Sequence, residues 1–119
     1  MGRPPKDKKK YLRGKCDTAW FRNNLKEQCE VCGAVAHHCH HFFQKGNYPQ
    51  LRYNNNNAIS LCSSCHVKHH FQGDPTIHQT IVEGRGQSWY QSLVEESKEK
   101  IKTRGIKDYK EILEGLTNN

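Results

Sequence analysis

Two Cys-x-x-Cys pairs constrain what this chain can fold into more than any other feature. Cys29 and Cys32 form the first pair, and Cys62 and Cys65 form the second. Each pair can direct two thiolates at one ion, and four thiolates make a closed tetrahedral zinc site. Redox dithiols or four buried cysteines are the alternative, but two such pairs rarely arise without a metal in a chain of 119 residues. The spacing therefore predicts a structural Zn²⁺ bound by all four cysteines.

The composition limits how much of the fold an apolar core can hold together. Hydrophobic residues make up 34% of the chain, which suits one small domain rather than a large one. At this size a structural ion commonly supplies the missing stability. No stretch approaches the roughly 18 to 20 apolar residues of a membrane span, and no signal-peptide pattern follows the basic N-terminus. We therefore expect a small zinc-stabilised α+β protein in the cytoplasm, with no membrane partner.

The order of apolar and turn-forming residues predicts strand, loop, strand and helix around the cysteine pairs. The pattern indicates strands over 35–43 and 58–61, and helices over 17–26, 63–71, 75–82, 88–102 and 107–116. The first of these helices is expected to begin at an Asp17 cap. The predicted organisation is a flexible basic arm (1–15), a metal-binding core with an N-terminal helix (16–74) and a C-terminal helical extension (75–119).

The positive charge of the chain is concentrated in that arm. Residues 1–15 contain seven basic side chains against Asp7, whereas residues 16–82 carry a net charge of +1 and residues 83–119 are balanced. An arm of this composition can bind a polyanion by releasing counterions, which predicts nucleic acid as the partner. A solvated charged tail explains the composition about as well. The candidate contacts in the arm are Arg3, Lys8, Lys9, Lys10 and Arg13.

Histidines cluster around the same cysteine pairs. Seven of the eight lie between or directly after them: His37, His38, His40, His41, His66, His69 and His70. A zinc ion that already has four thiolates needs no imidazole, so the cluster predicts a second, different metal site. His66 and His70 share one face of the expected helix, whereas His69 is offset from that face and is a spare ligand candidate.

The stretch from Cys29 to about Phe71 resembles the HNH endonuclease family, also called the His-Me finger or ββα-metal nucleases. His40-His41 resembles the histidine pair of the family's first strand, and Asn57 resembles its central asparagine. Cys65-His66 resembles the final histidine beside the second knuckle. His66-x-x-x-His70 is similar to the helix of the colicin-type branch, and the segment from His41 to Arg52 resembles the NinG (Rap) group of phage recombination nucleases.

The resemblance implies a ββα-metal finger with zinc knuckles and flanking helices, which hydrolyses DNA phosphodiester bonds and leaves 5′-phosphate and 3′-hydroxyl ends. His40, His66 and His70 would hold a catalytic divalent metal, and His41 would accept a proton from the attacking water. Asn57 would organise the loop between the strands. Many family members have Asp-His in place of His40-His41. Three imidazoles favour Mn²⁺, Ni²⁺ or Zn²⁺ over Mg²⁺, although Mg²⁺ stays in consideration.

Several alternatives stay open at the level of the residues. Arg52 and Lys68 are candidates for phosphate contacts, but an ordinary solvated charge explains each nearly as well. The main rival function is a non-catalytic zinc module that binds DNA. Within the nuclease interpretation, nicked, duplex and branched DNA are all compatible substrates. Recombination, packaging, homing and restriction are all compatible pathways. The sequence is also compatible with a homodimer. If a phage encodes the protein, it would work in the host cytoplasm.

Overall fold

The computed structural model describes residues 7–118, within which the chain forms five α-helices and one two-stranded sheet, an α+β fold. The elements in chain order are α1 (Lys8–Asn24), β1 (His38–His41), β2 (Ala58–Leu61), α2 (Ser63–His70), α3 (Pro75–Arg85), α4 (Gln87–Ser97) and α5 (Ile106–Thr117). Two short 3₁₀ turns, Pro49–Leu51 and Asn55–Asn57, interrupt the connection between the strands. None of the helices within residues 7–118 has the length and apolar character needed to cross a membrane.

The chain divides into two compact units. The larger unit runs from Asn24 to Ile101, and the smaller one combines the chain up to Asn23 with the chain from Lys102 onward. The expected boundaries, 16–74 and 75–119, differ from this division, because α3 and α4 belong to the larger unit and α5 belongs to the smaller one.

The strands and α2 are consecutive parts of the larger unit. β1 and β2 pair antiparallel, with His40 opposite Ile59 and His41 opposite Ala58. The chain then enters α2, which contacts both strands. Because successive side chains of a strand point to opposite faces, His40 and His41 face different sides of the sheet.

The core of the larger unit joins the sheet to α3 and α4. Its apolar members come from β2, the loop between the strands and both helices: Phe42, Leu51, Ile59, Leu61, Ile77, Ile81, Val82 and Leu93. Cys29, Cys62 and Cys65 belong to the same buried cluster. The C-terminal extension expected after residue 74 is therefore partly a component of this core.

Arg85, at the end of α3, ties that helix to the first cysteine pair and to β2. Its Nε lies 3.0 Å from both carboxylate oxygens of Glu30, and its Nη2 donates to the Ala58 carbonyl at 2.7 Å. The guanidinium lies 4.7 Å from the centre of the Trp89 ring, and Trp89 Nε1 donates to the Asn56 carbonyl at 2.9 Å. A planar guanidinium can make all of these contacts at once, whereas a lysine could not.

The smaller unit corrects the prediction for the N-terminal helix. The helix begins at Lys8 rather than at Asp17, because Asp7 caps it by accepting a hydrogen bond from Lys10 N at 2.9 Å. Leu12, Cys16 and Trp20 recur every four residues and are buried. Residues 8–15, expected in a flexible arm, therefore start α1 and include Lys8, Lys9, Lys10 and Arg13. Arg3 lies outside the described residues.

Candidate metal centres

The four cysteines predicted from their spacing come together in the larger unit. The sulfur atoms of Cys29, Cys32, Cys62 and Cys65 all lie within 4.8 Å of one another. Cys32 Sγ is 3.6 Å from Cys62 Sγ. Four sulfurs from two Cys-x-x-Cys pairs are the donor set of closed structural zinc sites, so this group is suited to hold a structural Zn²⁺.

Local backbone structure explains how each pair converges. In the first pair, Gly33 N donates to the Cys29 carbonyl at 2.9 Å, and Gly33 adopts a left-handed φ of 80° that suits glycine. In the second pair, Cys62 caps α2, and its sulfur accepts a hydrogen bond from Cys65 N at 3.4 Å. Glu30 N donates to the Ser60 carbonyl at 2.8 Å, which fixes the first pair beside β2.

The thiols of this group do not ionise equally. Burial opposes ionisation of Cys29, but backbone hydrogen bonds, chiefly with Cys32 and Cys62, outweigh it and lower the pKa of Cys29 to about 6. Burial and hydrogen bonds with the neighbouring sulfurs raise the pKa of Cys65 above its ordinary value. Cys29 is thus favoured as a thiolate, whereas ionisation of Cys65 beside it is disfavoured. A divalent cation would supply the charge that lets the remaining thiols ionise.

The histidines gather on the face of the sheet that α2 covers. The ring centre of His40 lies 5.3 Å from that of His66, 5.1 Å from that of His70 and 5.1 Å from that of His69. The rings of His66 and His70 are 5.5 Å apart. The predicted set of His40, His66 and His70 is therefore brought together. His69, expected to be offset on the helix and a spare ligand candidate, lies as close to His40 as His70 does, because positions i, i+3 and i+4 of a helix are neighbours.

Two of these imidazoles have a buried ring nitrogen without a hydrogen-bond partner among the described residues. His40 Nε2 and His69 Nε2 are both buried, and no group within residues 7–118 hydrogen-bonds either atom. Burial and the neighbouring imidazoles, His69 first, lower the pKa of His40 to about 3. The ring is consequently neutral at physiological pH, which is the form that binds metals. Buried polar atoms are normally hydrogen-bonded, so a water or an ion is expected beside each of these nitrogens.

The two candidate centres differ in how closely their ligand atoms converge. In the part of the chain that the structure describes, only the cysteines bring three or more ligand atoms together as one group. The imidazoles share a face, but their nitrogens do not converge in the same way. Rotation of the imidazole side chains is therefore needed before they can share an ion.

His41 contacts the loop between the strands. Its Nε2 lies 2.8 Å from the backbone carbonyl oxygen of Arg52. A carbonyl only accepts, so Nε2 carries the proton and Nδ1 is the basic nitrogen of the neutral ring. The Arg52 guanidinium lies 5.7 Å from the centre of the Tyr53 ring, and Lys68 is exposed on α2.

Asn57 holds the loop between the strands in shape. Its side chain is fully buried, with 0% exposure. Oδ1 accepts from Phe43 N at 2.8 Å, while Nδ2 donates to the carbonyls of Phe43 at 3.0 Å and Leu51 at 3.1 Å. The amide thus spans both ends of the loop that presents the Arg52 carbonyl to His41.

Replacing Asn57 with aspartate is expected to destabilise the protein by about 3 kcal/mol. A carboxylate has nearly the same shape but would face the carbonyls of Phe43 and Leu51 with an acceptor instead of a donor. Urea unfolding of the zinc-loaded protein measures the effect. Asn56→Asp, in the same run of asparagines but exposed, is the matched control and should change stability by less than about 0.5 kcal/mol. Equal midpoints for the two variants would show that the buried amide is dispensable.

Sequence reasoning missed two further histidines. The ring of His38 stacks on that of His66 at 4.1 Å. The period of two along a strand places His38 on the same face as His40, so this signal was present in the sequence. His78, the one histidine outside the cluster, is half-buried and stacks on Phe42 at 4.4 Å. Its position depends on the packing of α3 against the sheet, and no local pattern indicates it.

Comparisons with protein-family models, with characterised proteins and with solved structures found no match to this chain. What the two centres do is therefore inferred from their own side chains.

Proposed function

We propose that this chain is a metal-dependent DNA endonuclease of the HNH type, built on a ββα-metal finger. It hydrolyses phosphodiester bonds and leaves 5′-phosphate and 3′-hydroxyl ends. The rival function, a zinc module that binds DNA without cutting it, uses the same four cysteines and the same basic residues. The histidines distinguish the two functions.

The observation that carries the proposal is the separation of His40 from His41. The His40 ring lies beside three imidazoles of α2, whereas His41 is oriented by the Arg52 carbonyl on the other side of the strand. One set of nitrogens is suited to hold a metal, and the other side chain is suited to accept a proton. A module that only binds DNA has no need of this arrangement.

The side chains divide the reaction between them. When bound, a divalent cation would polarise the scissile phosphate and stabilise the leaving oxygen. His41 accepts the proton of the attacking water at Nδ1, because Nε2 is committed to the Arg52 carbonyl. Asn57 acts through the loop, since its hydrogen bonds hold the segment that contains Arg52. Asn57 is thus a positioning residue.

The chemistry of the donor set favours particular ions at the histidine centre. Imidazole nitrogen suits Mn²⁺, Ni²⁺ and Zn²⁺, whereas Mg²⁺ prefers oxygen ligands and keeps several waters. The acidic residues nearest in sequence to α2 are Asp74 and Glu83, and Asp74 caps α3 by accepting from Thr76 N. We therefore expect stronger activity with Mn²⁺ or Ni²⁺ than with Mg²⁺.

Helix α1 supports DNA as the partner. Its residues Lys8–Asn24 contain six basic side chains and a single acidic one, Asp17. A groove of the smaller unit is lined by Lys10, Lys15 and Arg22 of α1 together with Leu113 and Thr117 of α5. Basic residues along one helix can follow a phosphate backbone by releasing counterions, which makes the affinity dependent on salt. Arg52 and Lys68 would add phosphate contacts near the histidines.

Cleavage of supercoiled plasmid and of a synthetic four-way junction tests the proposal. The protein is assayed with Mn²⁺, Ni²⁺, Mg²⁺ or Zn²⁺ and with excess chelator. We expect nicking with Mn²⁺ and Ni²⁺, weaker nicking with Mg²⁺, and products that DNA ligase reseals without prior phosphorylation. DNA binding without cutting under every ion would favour the binding module. Cleavage supported by Mg²⁺ alone would contradict the imidazole assignment.

A further inference from the structure

His69 is the one imidazole around His40 that the proposed reaction does not use. Its ring centre is as close to that of His40 as the ring centre of His70 is, 5.1 Å in both cases. Its Nε2 is buried and has no hydrogen-bond partner among residues 7–118, like Nε2 of His40. The two nitrogens without a partner thus belong to neighbouring imidazoles, one on β1 and one on α2.

The distances between the ring centres match those of imidazoles around a common ion, so rotation of the side chains alone would direct their nitrogens at one point. Two imidazoles that bind one cation through nitrogens at about 2.1 Å, in a tetrahedral arrangement, have ring centres roughly 5 Å apart. The separations from His40 to its three neighbours range from 5.1 to 5.3 Å. Helix positions 66, 69 and 70 also share a face, so one cation can reach all three. His38 differs, because its ring stacks flat on that of His66 with an interplanar angle of 9°.

We propose that His69 is a fourth imidazole ligand of the histidine centre, and that it determines which ions leave the centre open to a phosphate. This inference rests on the proposed function. Zn²⁺ prefers four ligands, and His40, His66, His69 and His70 together would fill its coordination shell. Ni²⁺ and Mn²⁺ accept six ligands, so the same four imidazoles leave two positions open. Zn²⁺ then binds as an inhibitor, while Mn²⁺ and Ni²⁺ support cleavage.

The test measures metal binding apart from activity. Protein carrying one equivalent of Zn²⁺ at the cysteines is titrated with Co²⁺, whose visible absorption is intense in four-coordinate sites and weak in six-coordinate ones. The wild type should develop the intense band, and His69→Ala should lose it, with affinity at least about 100-fold lower. His37→Ala is the matched control, because His37 is exposed at the start of the same segment. His69→Gln removes the imidazole but keeps a side chain of similar size, so it is less prone to a folding defect. Far-UV circular dichroism checks that both His69 variants are folded.

Activity supplies the second readout. Zn²⁺ added to the Mn²⁺-supported reaction should inhibit the wild type and the His37→Ala variant, and His69→Ala should resist that inhibition.

The outcomes separate this inference from the proposed function. If the zinc-loaded wild type binds no Co²⁺, the histidine centre is not a metal site, and the metal-dependent mechanism fails with it. If the wild type binds Co²⁺ and both His69 variants match it in spectrum and affinity, His69 is not a ligand, while the nuclease proposal stands. If both variants lose the band and the Zn²⁺ inhibition, His69 is the fourth ligand.

Discussion

Removing zinc from the four-cysteine site is expected to unfold the unit formed by Asn24–Ile101, and Cys62→Ser is expected to prevent it from folding. Three of the four cysteines are members of the buried core cluster, so the site and the core form together. Structural zinc contributes about 10 to 16 kcal/mol of apparent binding free energy, comparable to or larger than the roughly 5 to 15 kcal/mol that stabilises a domain. Cys62 also caps α2, which carries three of the histidines of the proposed second centre.

Far-UV circular dichroism before and after a tight chelator, with zinc content measured in parallel, checks this expectation. Cys39→Ser is the matched control, because Cys39 lies on β1 outside the cysteine group. Burial raises the pKa of the Cys39 thiol to about 11, against the opposing charge of Arg85, so Cys39 behaves as a neutral thiol. This variant should fold and bind one equivalent of zinc. A native spectrum and unchanged melting after complete zinc removal would show that the apolar core alone suffices.

The elements near the cysteine pairs could be predicted from the sequence because their signals are local. The strand Ala58–Leu61 has the predicted bounds, and α2 ends within a residue of the predicted helix over 63–71. Spacing alone identified the four cysteines, since a Cys-x-x-Cys turn brings two sulfurs to one side whatever surrounds it. The i, i+4 rule likewise placed His66 and His70 together.

The errors arose where tertiary packing decides the structure. Lysines before Tyr11 suggested a solvated arm, but the apolar stripe of Leu12, Cys16 and Trp20 is buried in the smaller unit and holds the helix in place. Phe71, included in the predicted helix over 63–71, lies just beyond α2 and is 72% exposed. Helix geometry alone made His69 only a spare ligand candidate, whereas its proximity to His40 depends on a strand that is distant in sequence. Contacts of this kind have no local pattern.

His41→Ala is expected to reduce the rate of DNA cleavage by about 10² to 10⁴-fold while leaving DNA affinity unchanged. The Arg52 carbonyl fixes the proton on Nε2, so only Nδ1 can act as the base, and alanine removes it. The proposed metal ligands are untouched, because strand alternation places His41 on the opposite face of the sheet from His40. Loss of the hydrogen bond to the Arg52 carbonyl costs about 1 kcal/mol, too little to unfold a zinc-loaded domain.

Single-turnover cleavage with saturating protein and Mn²⁺ measures the chemical step, and fluorescence anisotropy of labelled DNA measures affinity. His37→Ala should match the wild type in both assays. A structural role and a catalytic role for His41 are separated by free imidazole, which can enter the space left in His41→Ala and accept the proton. Partial recovery of cleavage that rises with imidazole concentration would identify His41 as the base. An undiminished cleavage rate in His41→Ala would contradict the assignment. Another group, such as a metal-bound hydroxide, would then have to accept the proton.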